Sequence, residues 1–285
     1  EKNISKILKP DQVEIWICST KGLNKKNKNI INKFKNLKII ASPSTGLTHL
    51  DLQHIKNKKI SLIYLNKSSY NKKITSSSEF ALALIFSTIR NIAFGRKVVL
   101  SNNWRNFEND LRENEIKKYR FGIFGYGRIG KNIFNILKKI TNNIVYFDPY
   151  KITNINNKVL NLNSFLKNIN FLIICSTLNE ETKNFFNKKN LKILPKNSFI
   201  VNVSRGEIIN ERDLVKLIKT KHIKKYSTDV LSNENKILIK KRPLIELARN
   251  NKNLIITPHI AGLTQESEEK ASQYIVKNIK MKLKE

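Results

Sequence analysis

Residues 121–140 read FGIFGYGRIGKNIFNILKKI. The apolar, β-prone run Phe121 to Phe124 enters Gly125-Tyr126-Gly127-Arg128-Ile129-Gly130, and an amphipathic helical pattern follows from Ile129 to Ile140. A GxGxxG spacing alone is common, but a strand before it and a helix after it make it specific. Gly125 permits a tight turn, Gly127 lets the backbone approach a pyrophosphate, and Gly130 lets helix and strand pack closely. Arg128 and Ile129 open the helix, whose N-terminus would stabilise the phosphates. The next strand, Ile144 to Phe147, ends at Asp148, with 17 residues between Gly130 and that acid. A carboxylate there accepts hydrogen bonds from both ribose hydroxyls and repels a 2′-phosphate, so the expected cofactor is NAD rather than NADP. The plainer reading is a glycine turn followed by an Asp148-Pro149 turn. It does not explain why strand, glycines, helix, strand and acid fall in register.

Outward from this stretch, short apolar runs alternate with helical ones. Upstream, strands are expected at Val13 to Ser19, Leu37 to Ala41 and Ile60 to Leu65, with helical potential from Asn29 to Lys35. Segment 76–100 reads as one long, largely apolar helix entered through Ser76-Ser77-Ser78-Glu79. Downstream, strands are expected at Phe171 to Cys175, Phe199 to Val203, Lys225 to Asp229 and Leu254 to Thr257, and helices near 128–140, 162–168, 185–193 and 211–220. Strand–helix alternation of this kind predicts an α/β protein with doubly wound parallel sheets.

Composition narrows the class. The chain of 285 residues is long enough for two compact domains. It has no uninterrupted apolar run of membrane-spanning length and no signal-peptide pattern at Glu1 to Lys6, so a cytoplasmic protein without a membrane partner is expected. Cys18 and Cys175 sit singly in apolar runs, with neither metal spacing nor a disulfide framework, and read as free thiols. The net charge of +32 is almost all lysine, spread along the chain among asparagine and isoleucine. Because it is not gathered into a stripe or arm, it is expected to reflect base composition rather than a nucleic-acid partner, while favouring anionic small molecules.

Three downstream stretches each leave a strand and end in polar residues: Asn202-Val203-Ser204-Arg205-Gly206, Asp229-Val230-Leu231-Ser232-Asn233-Glu234, and Thr257-Pro258-His259-Ile260-Ala261-Gly262. In an open parallel sheet they would converge beyond the strand C-termini, near the reactive end of the cofactor. Reducing a 2-oxo acid needs a cation for its carboxylate and a proton donor for its carbonyl. Arg205 can supply the bidentate clamp and His259 the proton. Glu234 can hold the far imidazole nitrogen and favour the charged ring, and Asp229 can accept from the nicotinamide carboxamide. Singly, these would pass for a surface ion-pair residue, a solvated loop acid and a satisfied histidine. Behind a dinucleotide fingerprint they form a set.

In order and spacing, these motifs resemble the D-isomer-specific 2-hydroxyacid dehydrogenase family, which includes phosphoglycerate, D-lactate and hydroxypyruvate/glyoxylate enzymes. The family pattern is a strand-borne GxGxxG and aspartate, then N-x-[AS]-R-G, D-V-F-x-x-E-P and T-P-H-I-[AG]-G. The resemblance implies an NAD-dependent oxidoreductase acting on a small 2-hydroxy or 2-oxo acid. Arg205 would bind substrate, Glu234 and His259 would be the acid–base pair, and Thr177 would lie beside the nicotinamide where the family often has proline. The stretch Ala41-Ser42-Pro43-Ser44-Thr45-Gly46-Leu47-Thr48-His49-Leu50-Asp51 resembles the family's substrate loop, with backbone N–H groups around Thr45 and Gly46 for the carboxylate; His49 reads as a loop histidine. Corepressors related to the family retain the same triad, so an NAD-sensing binding protein is the alternative. The resemblance also implies a homodimer to which helix 79–95 contributes.

Leu231 and Asn235 stand where the family has phenylalanine and proline, which suggests a less rigid loop after Glu234. The chain also starts one strand and helix later than the family pattern. The expected architecture is a flavodoxin-like substrate domain lacking its first strand, residues 1–95 with 268–285, and an NAD-binding Rossmann domain, residues 96–267. Hinge closure would bring Gly46 towards Arg205.

Overall fold

The computed structural model describes residues 9–18, 28–47, 49–65, 74–151, 157–234 and 242–284. They belong to two compact units, residues 1–74 with 263–285 and residues 75–262.

In the first unit, β1 (Ile15–Ile17), β2 (Ile39–Ser42) and β3 (Ser61–Tyr64) pair in parallel in the order β1-β2-β3. Alternate side chains of β2 point to opposite faces, as the pleat demands. Ile39 and Ala41 pack against Ile275 and Ile279 of the C-terminal helix Gln265–Lys282, while Ile40 joins Phe34, Leu37, Leu50 and Ile55. That helix starts at Gln265, a little before the expected 268, because Thr264 caps it by accepting from the Ser267 N–H. A short helix at Leu52–Asn57, capped by Asp51, has too few residues to show a periodicity in the sequence.

The second unit has six parallel strands, β4 (Phe121–Phe124), β5 (Ile144–Phe147), β6 (Phe171–Ile174), β7 (Ser198–Asn202), β8 (Ile223–Thr228) and β9 (Leu254–Ile256), in the order β5-β4-β6-β7-β8-β9. Outside β5, Lys158 makes a single parallel bridge to Tyr146, with Tyr146 N–H donating to the Asn157 carbonyl and Val159 N–H to the Tyr146 carbonyl. This short rung occupies the place of the third strand in the Rossmann order 3-2-1-4-5-6. Being one bridge long, it carries no readable alternation. Both faces of the sheet are covered. Phe171 and Ile173 pack with Ile133, Phe134 and Leu137 on one side, and Leu172 and Ile174 with Phe165, Leu214 and Ile218 on the other.

Segment 76–100 is two helices, Ser76–Arg90 and Ile92–Leu100, rather than the single expected helix. Asn91 adopts φ 53°, a left-handed geometry that asparagine tolerates and that ends a helix. The break is fixed by Lys225, whose ammonium donates to the Thr88 carbonyl and to Asn91 Oδ1. Helix Ser76–Arg90 belongs to the second unit, not to the first as a boundary at residue 95 would have it: Ala81, Leu84, Ile85 and Ile89 pack with Phe121, Tyr119 and Phe134. Pro243–Arg249, a further unexpected helix, begins with proline at its first turn, where proline is compatible with a helix although it reads locally as a breaker. No described helix is long and apolar enough to cross a membrane.

Candidate functional site

The candidate site is built at the C-terminal edge of the six-stranded sheet. Gly125 follows β4 at φ 97°, a conformation that side-chain-bearing residues rarely adopt. The helix Arg128–Leu137 starts immediately, burying Gly130, Ile133, Phe134 and Leu137 at the 3-1-3 spacing of one helical face. A Cβ at Gly130 would lie 2.1 Å from the Gly125 carbonyl oxygen, so glycine there is a packing requirement. A Cβ at Gly127 would meet nothing within 4 Å. The absence of a side chain at Gly127 serves no protein contact and leaves open the space a pyrophosphate needs. No side chain caps the helix, so its first N–H groups are offered without a competing protein acceptor from the cap.

Asp148 leaves β5 half-buried, and its carboxylate is tied to the glycine loop. Oδ2 accepts from the Tyr126 N–H at 2.8 Å, and Oδ1 accepts from the Tyr150 N–H at 3.0 Å. Two lone-pair positions remain for ribose hydroxyls. Tyr126 is buried and stacks on Tyr146 at 3.8 Å between ring centroids, which fixes the loop from beneath. Thr177 is exposed just beyond β6, and its carbonyl accepts from the Thr182 hydroxyl.

Arg205 follows β7 on a turn folded by a buried side chain. Asn202 donates from Nδ2 to the Arg205 carbonyl and accepts the Ser204 N–H at Oδ1, both at 3.0 Å. The guanidinium is half-buried and donates to the Ser204 carbonyl. A Cβ at Gly206 would lie 2.0 Å from the Leu231 carbonyl carbon, so the Arg205 turn and the loop bearing Glu234 pack backbone to backbone.

His259 has φ 58°, the left-handed region again, and buried Asp229 holds it there. Asp229 Oδ1 accepts from Thr257 Oγ1 at 2.6 Å and the Ile260 N–H at 2.9 Å, and Oδ2 from the Ala261 N–H at 2.7 Å. Three of about four acceptor positions are thus used within the protein. The primary task of Asp229 in this structure is to shape the histidine loop, a role its place in the sequence did not reveal. His259 Nδ1 and Glu234 Oε1 are 2.7 Å apart. Burial works to raise the Glu234 carboxyl, but the hydrogen bond and charge of His259, the Leu231 backbone and Arg205 outweigh it and hold the group below its ordinary range. With Nδ1 engaged, Nε2 is the nitrogen left for a ligand, on a side chain 45% exposed.

The structure therefore brings together Gly125, Gly127, Arg128, Ile129, Gly130, Asp148, Thr177, Arg205, Asp229, Glu234 and His259 in one unit and along one sheet edge. Thr45 and Gly46 lie in the first unit, on the loop after β2. There the Ser44 hydroxyl donates to the Gly46 carbonyl, and buried His49 shares a hydrogen bond with the buried Ser42 hydroxyl, a structural place consistent with a loop histidine. Asn235 lies outside the described residues.

Known proteins resemble this chain over most of its length. A Staphylococcus saprophyticus protein provisionally named a 2-hydroxyacid dehydrogenase is 28% identical over 262 residues, covering 90% of this chain and 79% of the relative. Among solved structures, D-lactate dehydrogenase from Aquifex aeolicus, complexed with NAD and lactic acid, superposes with a TM-score of 0.84 at 22% identity, covering 98% of this chain and 86% of that one. An NADPH-dependent glyoxylate/hydroxypyruvate reductase from Sinorhizobium meliloti, in complex with NADP and malonate, gives 0.80 at 19% identity, covering 97% and 83%. At those identities the structures establish the fold. The family model of the D-isomer specific 2-hydroxyacid dehydrogenase NAD-binding domain matches residues 82–261, more than half of the chain. With a glycine loop that fits a dinucleotide and the paired Glu234 and His259 at the same sheet edge, the chain belongs to the D-isomer specific 2-hydroxyacid dehydrogenase family and carries its NAD-binding domain.

Proposed function

We propose that the protein interconverts a small 2-oxo acid and the corresponding D-2-hydroxy acid, with Arg205 binding the carboxylate and the Glu234–His259 pair carrying the proton. The observation that carries this reading is the 2.7 Å contact between Glu234 and His259 Nδ1, which leaves Nε2 to exchange a proton. NAD, when bound, supplies the hydride to C2 in reduction or accepts it in oxidation. In reduction, protonated His259 donates from Nε2 to the substrate oxygen as that oxygen becomes a hydroxyl. In oxidation, the neutral ring takes the proton back. Glu234 is ionised under neutral conditions and stabilises the charged imidazole. Arg205, always charged and planar, suits bidentate carboxylate binding.

Asp148 supports NAD over NADP, because a carboxylate at the end of this strand would repel a 2′-phosphate and its remaining lone pairs suit hydroxyls. Ile92, Val99, Leu100 and Trp104 are exposed apolar residues on and after the helix Ile92–Leu100, and they support a homodimer contact. They lie beyond the break at Asn91, so the contact would use the second helix more than the expected 79–95. The corepressor-like reading gains no observation of its own.

The test is NADH oxidation over glyoxylate, hydroxypyruvate, pyruvate, 2-oxoglutarate and phosphohydroxypyruvate, with His259→Ala and Arg205→Ala alongside. His259→Ala is expected to lower kcat by about 10²–10⁴, and Arg205→Ala to raise KM and lower kcat, with NADH affinity nearly unchanged in both. Retained turnover in both variants sinks the assignment.

A further inference from the structure

Ser232 and Asn233 immediately precede Glu234, and each of their backbone polar groups ends on a charged side chain. The Ser232 N–H donates to Glu211 Oε1 at 2.6 Å, and the Asn233 N–H to Glu207 Oε1 at 2.9 Å. The Ser232 carbonyl accepts from Arg242 Nη1 at 2.5 Å, and the Asn233 carbonyl from Arg242 Nη2 at 2.7 Å. Arg242 is 2% exposed. Its planar fork spans two successive carbonyls, which a lysine ammonium cannot reproduce.

The three charged residues come from separate elements. Glu207 lies in the turn Gly206–Ile208, Glu211 opens the helix Glu211–Lys219, and Arg242 stands at the N-cap of Pro243–Arg249. Four charge-assisted hydrogen bonds on two residues are far more than a surface turn needs. Asn233 also sits at φ 52°, a geometry held here by the surrounding contacts rather than by glycine. Burial raises the Glu211 carboxyl, with Glu207 adding to the rise, while the Ser232 N–H and Arg242 pull it down. The guanidinium is thus the counter-charge for a half-buried acid as well as the backbone clamp.

We propose that Arg242, together with Glu207 and Glu211, is a positioning device for the acid–base pair: it locks the backbone of Ser232 and Asn233 and so holds Glu234 against His259. This rests on the reading of Glu234 and His259 as the proton carriers. The loop after Glu234, expected to be less rigid, lies outside the described residues; the clamp acts on the two residues before it.

The test titrates the His259 ring by NMR in the full chain, which contains four histidines, in the wild type, Glu234→Gln, Arg242→Gln and Arg242→Lys. Removing a nearby positive charge alone would make the ring easier to protonate. Releasing Glu234 makes it harder, so the two explanations have opposite signs. The clamp predicts that both Arg242 variants move the titration midpoint to lower pH, towards that of Glu234→Gln. Should Arg242→Gln fail to fold, Arg242→Lys keeps the positive charge while losing the two-carbonyl fork, and is expected to move the midpoint the same way. Midpoints unchanged or raised in the Arg242 variants that fold overturn the proposal. NADH oxidation on the 2-oxo acid panel distinguishes the two failures. No turnover in the wild type refutes the proposed function while leaving the clamp readable by NMR, and turnover with unmoved midpoints refutes only the clamp.

Discussion

The two edges of the six-stranded sheet bury charge in different ways. At the N-terminal edge, Lys225 near the start of β8 meets Glu113 at 3.0 Å, with Lys224 on the same carboxylate at 2.8 Å. The Lys225 and Glu113 side chains are 3% and 6% exposed, and both Lys224 and Lys225 face the Phe199 ring. At the C-terminal edge, His259 and Glu234 are paired at 2.7 Å but are 45% and 33% exposed. The first pair is closed to any ligand and ties a helix break and a loop to the sheet. The second keeps one nitrogen accessible. Burial and pairing of charge therefore do not mark a site by themselves; a paired charge with one accessible face, on the edge where the glycine loop lies, does.

The largest effect that sharpens this contrast is expected at the closed edge. Glu113→Gln strands the buried Lys225 ammonium and should cost about 3–5 kcal/mol of stability, read from denaturant unfolding, with the Glu234–His259 pair untouched. Burial alone would raise the Glu113 carboxyl, but Lys224 and Lys225 outweigh it and lower it. A group whose folded pKa is depressed contributes stability above its unfolded value, about 4.3 for glutamate. The wild type should thus lose this contribution as pH falls from there through the folded value, and Glu113→Gln should show a shallower acid dependence. Equal stability of mutant and wild type at neutral pH would break the comparison.

Within the glycine loop, the same chemical change is expected to act in two ways. Gly130→Ala forces a Cβ onto a backbone oxygen and should cost about 3 kcal/mol, lowering the thermal midpoint by several degrees. Gly127→Ala places its Cβ in open space, so the midpoint should hold while NADH affinity falls about tenfold, equivalent to about 1.4 kcal/mol. A smaller effect is expected at Asp148→Ala. NADH affinity should weaken and NADPH affinity should rise relative to it, by about tenfold in the ratio. An unchanged ratio would remove Asp148 from cofactor choice.

Much of the open edge was legible in the sequence because each part is local. The β4–glycine–helix unit, Asp148 at the end of β5, and the stretches bearing Arg205, Glu234 and His259 each announce themselves by strand ends and residue type. What could not be read is what depends on partners far apart in the chain. Glu113 sits in a polar stretch that looks like a solvated connection, and its partner Lys225 looks like one lysine among many. The break at Asn91 needs Lys225, and the shape of the His259 loop needs Asp229, a task that its motif did not announce. Arg242 lies beyond the recognisable motif, and nothing in its neighbourhood says that it will turn inward to hold Ser232 and Asn233. The single-bridge third strand at Lys158 and the short helix Leu52–Asn57 lack the length over which a periodicity can be seen.

The central claim, that Glu234 and His259 act as one proton carrier on a 2-oxo acid, is tested most directly by the pH profile of kcat for NADH-dependent reduction in wild type and Glu234→Gln. The account predicts turnover in the wild type. In the variant it predicts a fall of about tenfold or more, an alkaline limb displaced to lower pH because the imidazolium has lost its counter-charge, and an unchanged NADH dissociation constant. Superimposable profiles, or a wild type that reduces none of the 2-oxo acids, would contradict it.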